Sequence, residues 1–183
     1  MKKMLFSLLL AGLLFSVYAQ KANDKSMVKY ARNTKMAKPP VAFADPKYMD
    51  IGRQMLKQFE QANIEAFANQ FADNAVYLWS SGDSLVGRQA IIDYWKNRQA
   101  NVIQTIKLSN DIWLPVEINQ PQQGPDMPGV WLLNWYQVNV TYKNGKQLSF
   151  WVHQDFHFNN DNKIDRSIQY VDRAPINEAL GVK

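Results

Sequence analysis

Apolar residues change their spacing several times along this chain, and each change marks a different element. After Pro46, Tyr48, Ile51, Met55, Phe59 and Ala62 recur at helical spacing. A proline ahead of them suits a helix start, where its missing N–H is no loss. Ile64 to Phe71 continues as a second, short helix. Ala75 to Ser80 is rich in aromatic and β-branched residues and reads as a strand, closed by the loop Ser81-Gly82-Asp83. Gly87 introduces a third helix carrying Ile91, Tyr94, Trp95 and Arg98. Between Ile103 and Ile118, the apolar residues Ile106, Leu108, Ile112 and Leu114 alternate with polar ones, as in a strand with one buried face. Residues 119–129 hold three Pro and two Gly and therefore form a long loop.

The strongest local signal is Lys143-Asn144-Gly145-Lys146 between two β-rich runs. Asn-Gly favours a two-residue hairpin turn, since both positions need positive φ. That turn pairs Lys143 with Lys146 and fixes the register of the whole hairpin. Trp131, Leu133, Trp135 and Gln137 then share a face with Phe150, Val152, Gln154 and Phe156, and this more apolar face is expected to point inward. Tyr136, Val138, Trp151, His153, Asp155 and His157 fall on the other face. A turn at Asn159 to Asn162 leads to a last strand from Lys163 to Asp172. Two or three N-terminal helices and four to five mostly antiparallel strands define an α+β domain. Alternating βα units and a Gly-rich phosphate loop are both missing, which argues against a doubly wound nucleotide-binding sheet.

Composition narrows the class. The chain has 183 residues, 13% of them aromatic, and no cysteine, so disulfide scaffolds, thiolate zinc sites and cysteine nucleophiles are excluded. Lys2 and Lys3 precede an apolar run from Leu5 to Val17, and Val17-Tyr18-Ala19 supplies a cleavage site. Residues 1–19 thus read as a signal peptide, and the run is shorter than the ~20 residues of a spanning helix. The expected localisation is periplasmic or secreted. The formal charge of +5 invites a nucleic-acid reading, but its distribution opposes it. Residues 20–47 carry seven basic residues against Asp24 and Asp45, whereas residues 48–183 carry twelve against fourteen acidic ones. The basicity belongs to the leader and to a tail, not to a folded face. The expected organisation is a signal peptide at 1–19, a basic, flexible tail at 20–46, a domain at 47–175 and a C-terminal tail at 176–183.

The stretch AFANQFADNAVY from Ala66 to Tyr77, then Gly87-Arg88-Gln89-Ala90-Ile91, then Phe156-His157-Phe158 through Asn162-Lys163-Ile164, resembles the nuclear transport factor 2-like superfamily. The likeness is to its SnoaL-like and ketosteroid isomerase-like members. It implies a cone-shaped α+β fold of N-terminal helices packed on a curved, mostly antiparallel sheet, often dimeric, with an open pocket. Shared fold is only an analogy for function. Carried over position by position, the isomerase's oxyanion-donating tyrosine falls on Met55, its general-base aspartate on Trp79 and its protonated aspartate on Gln154. Proton abstraction beside a carbonyl needs a titratable base and strong donors, and these residues supply no base. The resemblance therefore implies a binding site for a small apolar or planar ligand, with Tyr77, Trp79, Trp95, Trp135, Gln137, Gln154 and Phe156 as its residues. No cofactor or metal is assigned. A lyase, isomerase or hydrolase stays open as the alternative, with Asp83, His153 and Asp155 as its acid–base candidates.

One motif stands apart. His153, Asp155 and His157 alternate on one strand, about 6.6–6.8 Å apart, a spacing at which all three could meet an ion. The hairpin register puts them opposite Gln154, beside Trp151 and Tyr136, where a homodimer interface is the expected use.

Overall fold

A computed structural model of the chain describes residues 38–120 and 127–182. The signal peptide and most of the basic tail expected from the sequence lie outside the described residues. The element order is β1 (Val41–Phe43), α1 (Lys47–Glu60), α2 (Ile64–Ala68), β2 (Phe71–Trp79), β3 (Ser84–Val86), α3 (Arg88–Asn101), β4 (Ile103–Ile118), β5 (Gly129–Tyr142), β6 (Gln147–Phe158), β7 (Ile164–Tyr170) and α4 (Ala174–Leu180). The strands form one sheet in the order β1-β4-β5-β6-β7-β2-β3, antiparallel throughout except for the parallel β2–β7 pair. This is an α+β fold with its helices gathered against the sheet.

Helix α1 buries Tyr48, Gly52, Met55, Leu56 and Phe59; of the stripe expected from spacing, Tyr48, Met55 and Phe59 are buried, Ile51 is half-buried, and Ala62 lies exposed beyond the helix end. The helix packs on β4 and β5, and Gly52 sets the distance. A Cβ there would stand 2.5 Å from the Trp113 ring and 2.7 Å from Leu132, so the approach admits no side chain. Asn63 caps α2 by accepting from the Ala66 N–H at 3.3 Å. The core then runs through Phe67, Phe71, Tyr77, Ile91, Leu132, Phe156 and Ile164, all nearly inaccessible to solvent. Each large apolar side chain buried this way contributes about 1.5–3 kcal/mol.

The structure departs from the sequence reading in several places. The strand expected from Ala75 starts at Phe71, so the second helix is shorter. Its first half pairs with Ile164 and its second with Arg166 onward, across a bulge between Phe71 and Val76. Elements also reach past residues 47–175. Val41–Phe43 pairs with Val116–Ile118, and α4 occupies most of the segment read as a C-terminal tail. Two strands, β1 and β3, and the early part of β2 escape notice because each is too short or too irregular to show a period.

The largest correction is the hairpin. Lys143, Asn144 and Gly145 make a three-residue loop rather than a two-residue one. Tyr142 N–H donates to the Lys146 carbonyl at 2.8 Å, Gly145 N–H donates to the Tyr142 carbonyl at 2.9 Å, and Gly145 sits at φ +84°. This is a turn completed by a left-handed glycine. Val138 therefore faces Phe150, Tyr136 faces Val152 and Asn134 faces Gln154. Strand β6 keeps the inward face predicted for it, but every residue of β5 changes sides. Trp135 and Gln137 lie on the outer face, while Tyr136, Val138, Val140 and Tyr142 point inward.

Candidate functional site

The inner face of the sheet and the helices above it leave a cavity of about 380 Å³. Helices α1 and α2 give it Leu56, Phe59 and Phe67, and α3 gives it Tyr94, Trp95 and Arg98. Strand β2 adds Tyr77 and Trp79, the inner residues of β4, β5 and β6 complete the wall, and residues 171–182 border it with Val171, Arg173, Ile176, Asn177, Leu180 and Val182. The aromatic rings form a chain of edge and tilted contacts. Phe59 meets Trp95 at 4.8 Å between centroids, Trp95 meets Tyr94 at 5.0 Å, Tyr94 meets Trp79 at 5.1 Å and Trp79 meets Tyr77 at 4.8 Å. Such mutually braced rings hold a wall in place without filling the space in front of it.

One neutral hydrogen-bond network crosses this wall. Gln154 accepts from the Tyr136 hydroxyl at 2.9 Å and donates to Tyr77 Oη at 3.0 Å and Ser167 Oγ at 2.9 Å. Gln169 accepts from Trp79 Nε1 at 2.8 Å and donates, at a long 3.4 Å, to the Tyr136 hydroxyl. Burial raises the pKa of both Tyr77 and Tyr136 above the ordinary phenol value, so both hold their protons. No carboxylate or imidazole stands among the described residues that line the cavity.

The sequence-predicted residues separate accordingly. Tyr77, Trp79, Trp95 and Gln154 come together on the cavity wall. Phe156 is fully buried in the core and does not border the cavity. Trp135 and Gln137 are on the opposite face of the sheet, the direct consequence of the hairpin register. Of the positions matched to the isomerase, Trp79 and Gln154 line the cavity, and Met55 is buried in the core. The residues missed are Tyr136, Val138, Val140 and Tyr142 on β5. The signal was present in Gln137-Val138-Asn139-Val140-Thr141-Tyr142, where strict alternation already marks the even positions as the apolar ones.

The acid–base candidates lie elsewhere. Asp83 is exposed and takes Arg173 Nη1 at 2.5 Å and the Ser81 hydroxyl at 3.1 Å, contacts that lower its pKa. His153 and Asp155 share the outer face, with Nε2 and Oδ1 3.0 Å apart. The approach is not aligned as a hydrogen bond, since Asp155 Oδ1 has no such partner. Its carboxyl pKa is raised by burial, with His153 opposing. His153 Nδ1 donates to the Asn134 carbonyl at 3.1 Å, and its ring stacks between Trp135 at 4.4 Å and Tyr170 at 5.4 Å. His157 turns away from both. Its Nδ1 lies 2.6 Å from Asp165 and its Nε2 3.1 Å from the Pro128 carbonyl, so it ties the loop before β5 to β7. The H-x-D-x-H run does not converge on a point, and no group of three ligating side chains suited to a metal occurs among the described residues.

With this geometry in view, comparison with solved structures places the fold. A nuclear transport factor 2-like protein of unknown function from Burkholderia pseudomallei is 14% identical, covers 72% of this chain and 95% of its own, and superposes with a TM-score of 0.57. A protein with a ketosteroid isomerase-like fold from Catenulispora acidiphila, in complex with trimethylamine, is 12% identical over 73% of this chain and 93% of its own, with a TM-score of 0.53. An LEH-like epoxide hydrolase from M. tuberculosis is 13% identical over 70% and 85%, with a TM-score of 0.51. No family model and no curated protein matches the sequence. The chain has the nuclear transport factor 2-like, ketosteroid isomerase-like fold, with a buried aromatic cluster beside an internal cavity. At these identities the likeness concerns the fold alone.

Proposed function

We propose that this is an exported binding protein that holds a small apolar or planar organic ligand in the aromatic cavity. One observation carries the reading: about 380 Å³ of space is walled by braced aromatic rings and a neutral hydrogen-bond network, with no carboxylate or imidazole facing it among the described residues. That volume falls within the usual range for small-molecule sites, and the mix of apolar wall and few polar groups is what such sites use. The catalytic alternative needs Asp83, His153 or Asp155 at the ligand, and none of them lines the cavity. The Catenulispora acidiphila protein of this fold carries a small organic molecule, which agrees with a binding role for such a cavity.

The test is ligand-observed NMR against a panel of aromatic fragments, with wild type beside Val140→Trp, which would place an indole in the cavity. Fragments should bind wild type and lose binding in the folded variant. Absence of binding, or binding indifferent to Val140→Trp, overturns the reading. Export rests on the leader at residues 1–19, and a mature N-terminus at Gln20 is its check. A homodimer through the outer face is supported by Ile112, Trp151 and Tyr170, about half exposed there. Sedimentation equilibrium should give twice the chain mass, falling to a monomer in Trp151→Asp.

A further inference from the structure

The cavity carries charge of one sign only. Its walls include two guanidinium groups, Arg98 and Arg173, and no carboxylate among the described residues. Arg173 is already engaged, donating to Asp83 and Ser81 at 2.5 and 3.0 Å. Arg98 is not. Its guanidinium lies over the Tyr94 ring, 5.9 Å from the centroid, and it has no hydrogen bond or ion pair to any acceptor among the described residues. Tyr142 lines the same cavity, just before the Lys143 that bonds the end of α3, and the Arg98 charge opposes the rise in its pKa that burial causes. The Tyr142 hydroxyl makes no hydrogen bond to a described residue though solvent reaches it, while Trp95 Nε1 on the same wall is buried with no partner among the described residues. The nearby Lys143 is spent on the Ala100 carbonyl at the end of α3.

Elsewhere on the wall the glutamine acceptors are used internally, Gln154 by Tyr136 and Gln169 by Trp79, and the Asn177 carboxamide on α4 brings a donor as well as an acceptor. The polar groups left over at the Arg98 end are donors. Buried and half-buried polar groups normally find partners, and a cation beside a spare O–H donor is matched by a compact anion. Planar carboxylates suit a guanidinium best, because two oxygens meet its fork of N–H groups.

Resting on the binding role proposed above, we infer that the ligand is an apolar or aromatic carboxylic acid, its ring body against Trp79, Tyr94 and Trp95 and its carboxylate on Arg98 and Tyr142. The cation–π contact with Tyr94 then acts as a positioning device that holds the guanidinium at the wall when the ligand is absent.

The experiment is isothermal titration calorimetry of the full mature chain with two probes of nearly equal shape, 2-naphthoate and its neutral methyl ester, at neutral pH. Variants are Arg98→Met, Arg98→Lys and Tyr142→Phe, each checked for an unchanged circular dichroism spectrum. Wild type should prefer 2-naphthoate over the ester by roughly tenfold or more, the scale of a charge-assisted hydrogen bond at a half-buried site. Arg98→Met should abolish that preference, so that 2-naphthoate binds no better than the ester, and Arg98→Lys should keep part of it. Tyr142→Phe should lower it by a smaller factor. Equal binding of both probes to wild type overturns the carboxylate assignment and leaves the aromatic cavity standing. An anion preference that survives in Arg98→Met overturns the role of Arg98. Failure of both probes to bind overturns the carboxylate assignment together with the binding role beneath it.

Discussion

Replacing Gln154 with leucine tests whether the neutral network is a fixed part of the wall. The side chain is 2% exposed and makes three hydrogen bonds, to Tyr136, Tyr77 and Ser167. Leucine has a similar volume, so little cavity is created and the loss is almost wholly polar. Ser167 is fully buried and Tyr77 is 1% exposed. Neither has another hydrogen bond to fall back on among the described residues, while Tyr136 keeps only the long contact from Gln169. Stranding a buried hydroxyl costs about 1–3 kcal/mol. Two hydroxyls stranded outright and one weakened, less the gain from a buried isobutyl group, give a net loss of about 2–4 kcal/mol. Urea denaturation followed by tryptophan fluorescence reads this as a lower midpoint at unchanged slope. Adding Tyr77→Phe and Ser167→Ala should recover much of the loss, because removing both partners of a buried bond is far cheaper than removing one. A single-variant loss below about 1 kcal/mol, or full additivity in the triple variant, would refute the network.

Other outcomes follow from the same geometry. Gly145→Ala forces a Cβ into the left-handed region at φ +84° and should cost about 1 kcal/mol in a thermal or urea melt; no change would mean the hairpin loop is differently built. Asp155 has a raised folded-state pKa, chiefly from burial, so the folded chain holds that proton more tightly than the unfolded chain does. Its contribution is full below the ordinary aspartate pKa and is lost as pH rises through the elevated value. Asp155→Asn should therefore gain stability relative to wild type between acid and neutral pH, as read from melts across that window. Asp83 has the opposite sign: the Arg173 contact lowers its pKa, so the tie exists at neutral pH and is lost as pH falls through that depressed value. Asp83→Asn should speed hydrogen exchange in Ala174–Leu180 at neutral pH and leave exchange in β5 and β6 unaffected; equal rates in α4 would show that Arg173 does not anchor it.

How far the sequence could be read depended on how many faces of an element are apolar. Helix α1 has a single apolar stripe, so Tyr48, Met55 and Phe59 follow from spacing, while Leu56 and Gly52 are buried beyond it, Gly52 by the close approach of Trp113 and Leu132. Strand β6 carries Phe150, Val152, Gln154 and Phe156 on one parity, and that parity is the inner one. Strand β5 begins with Val130-Trp131-Leu132-Leu133, apolar on both faces, and this stretch admits either register. The Asn-Gly pair then decided the matter wrongly, since it serves two-residue and three-residue loops alike, and moving the turn by one residue exchanged Tyr136 and Tyr142 for Trp135 and Gln137. Helix α4 reads as a tail in the sequence, although Pro175 stands in its first turn and Gly181 closes it in the left-handed conformation. Seven residues with no fully buried member show too little period to reveal it. Nothing local marks Arg98 as part of the site. Its position there depends on α3 packing against β2, α2 and β4, a tertiary fact.

The central claim is that the cavity holds an organic molecule. Native mass spectrometry of the mature protein, purified gently from the envelope or medium of its own cells, tests it most directly. The account predicts an added organic mass in a ratio of one per chain, released on mild activation and missing from Val140→Trp. A wild-type protein that carries a metal ion in that ratio instead, or an organic mass retained in Val140→Trp, would contradict it.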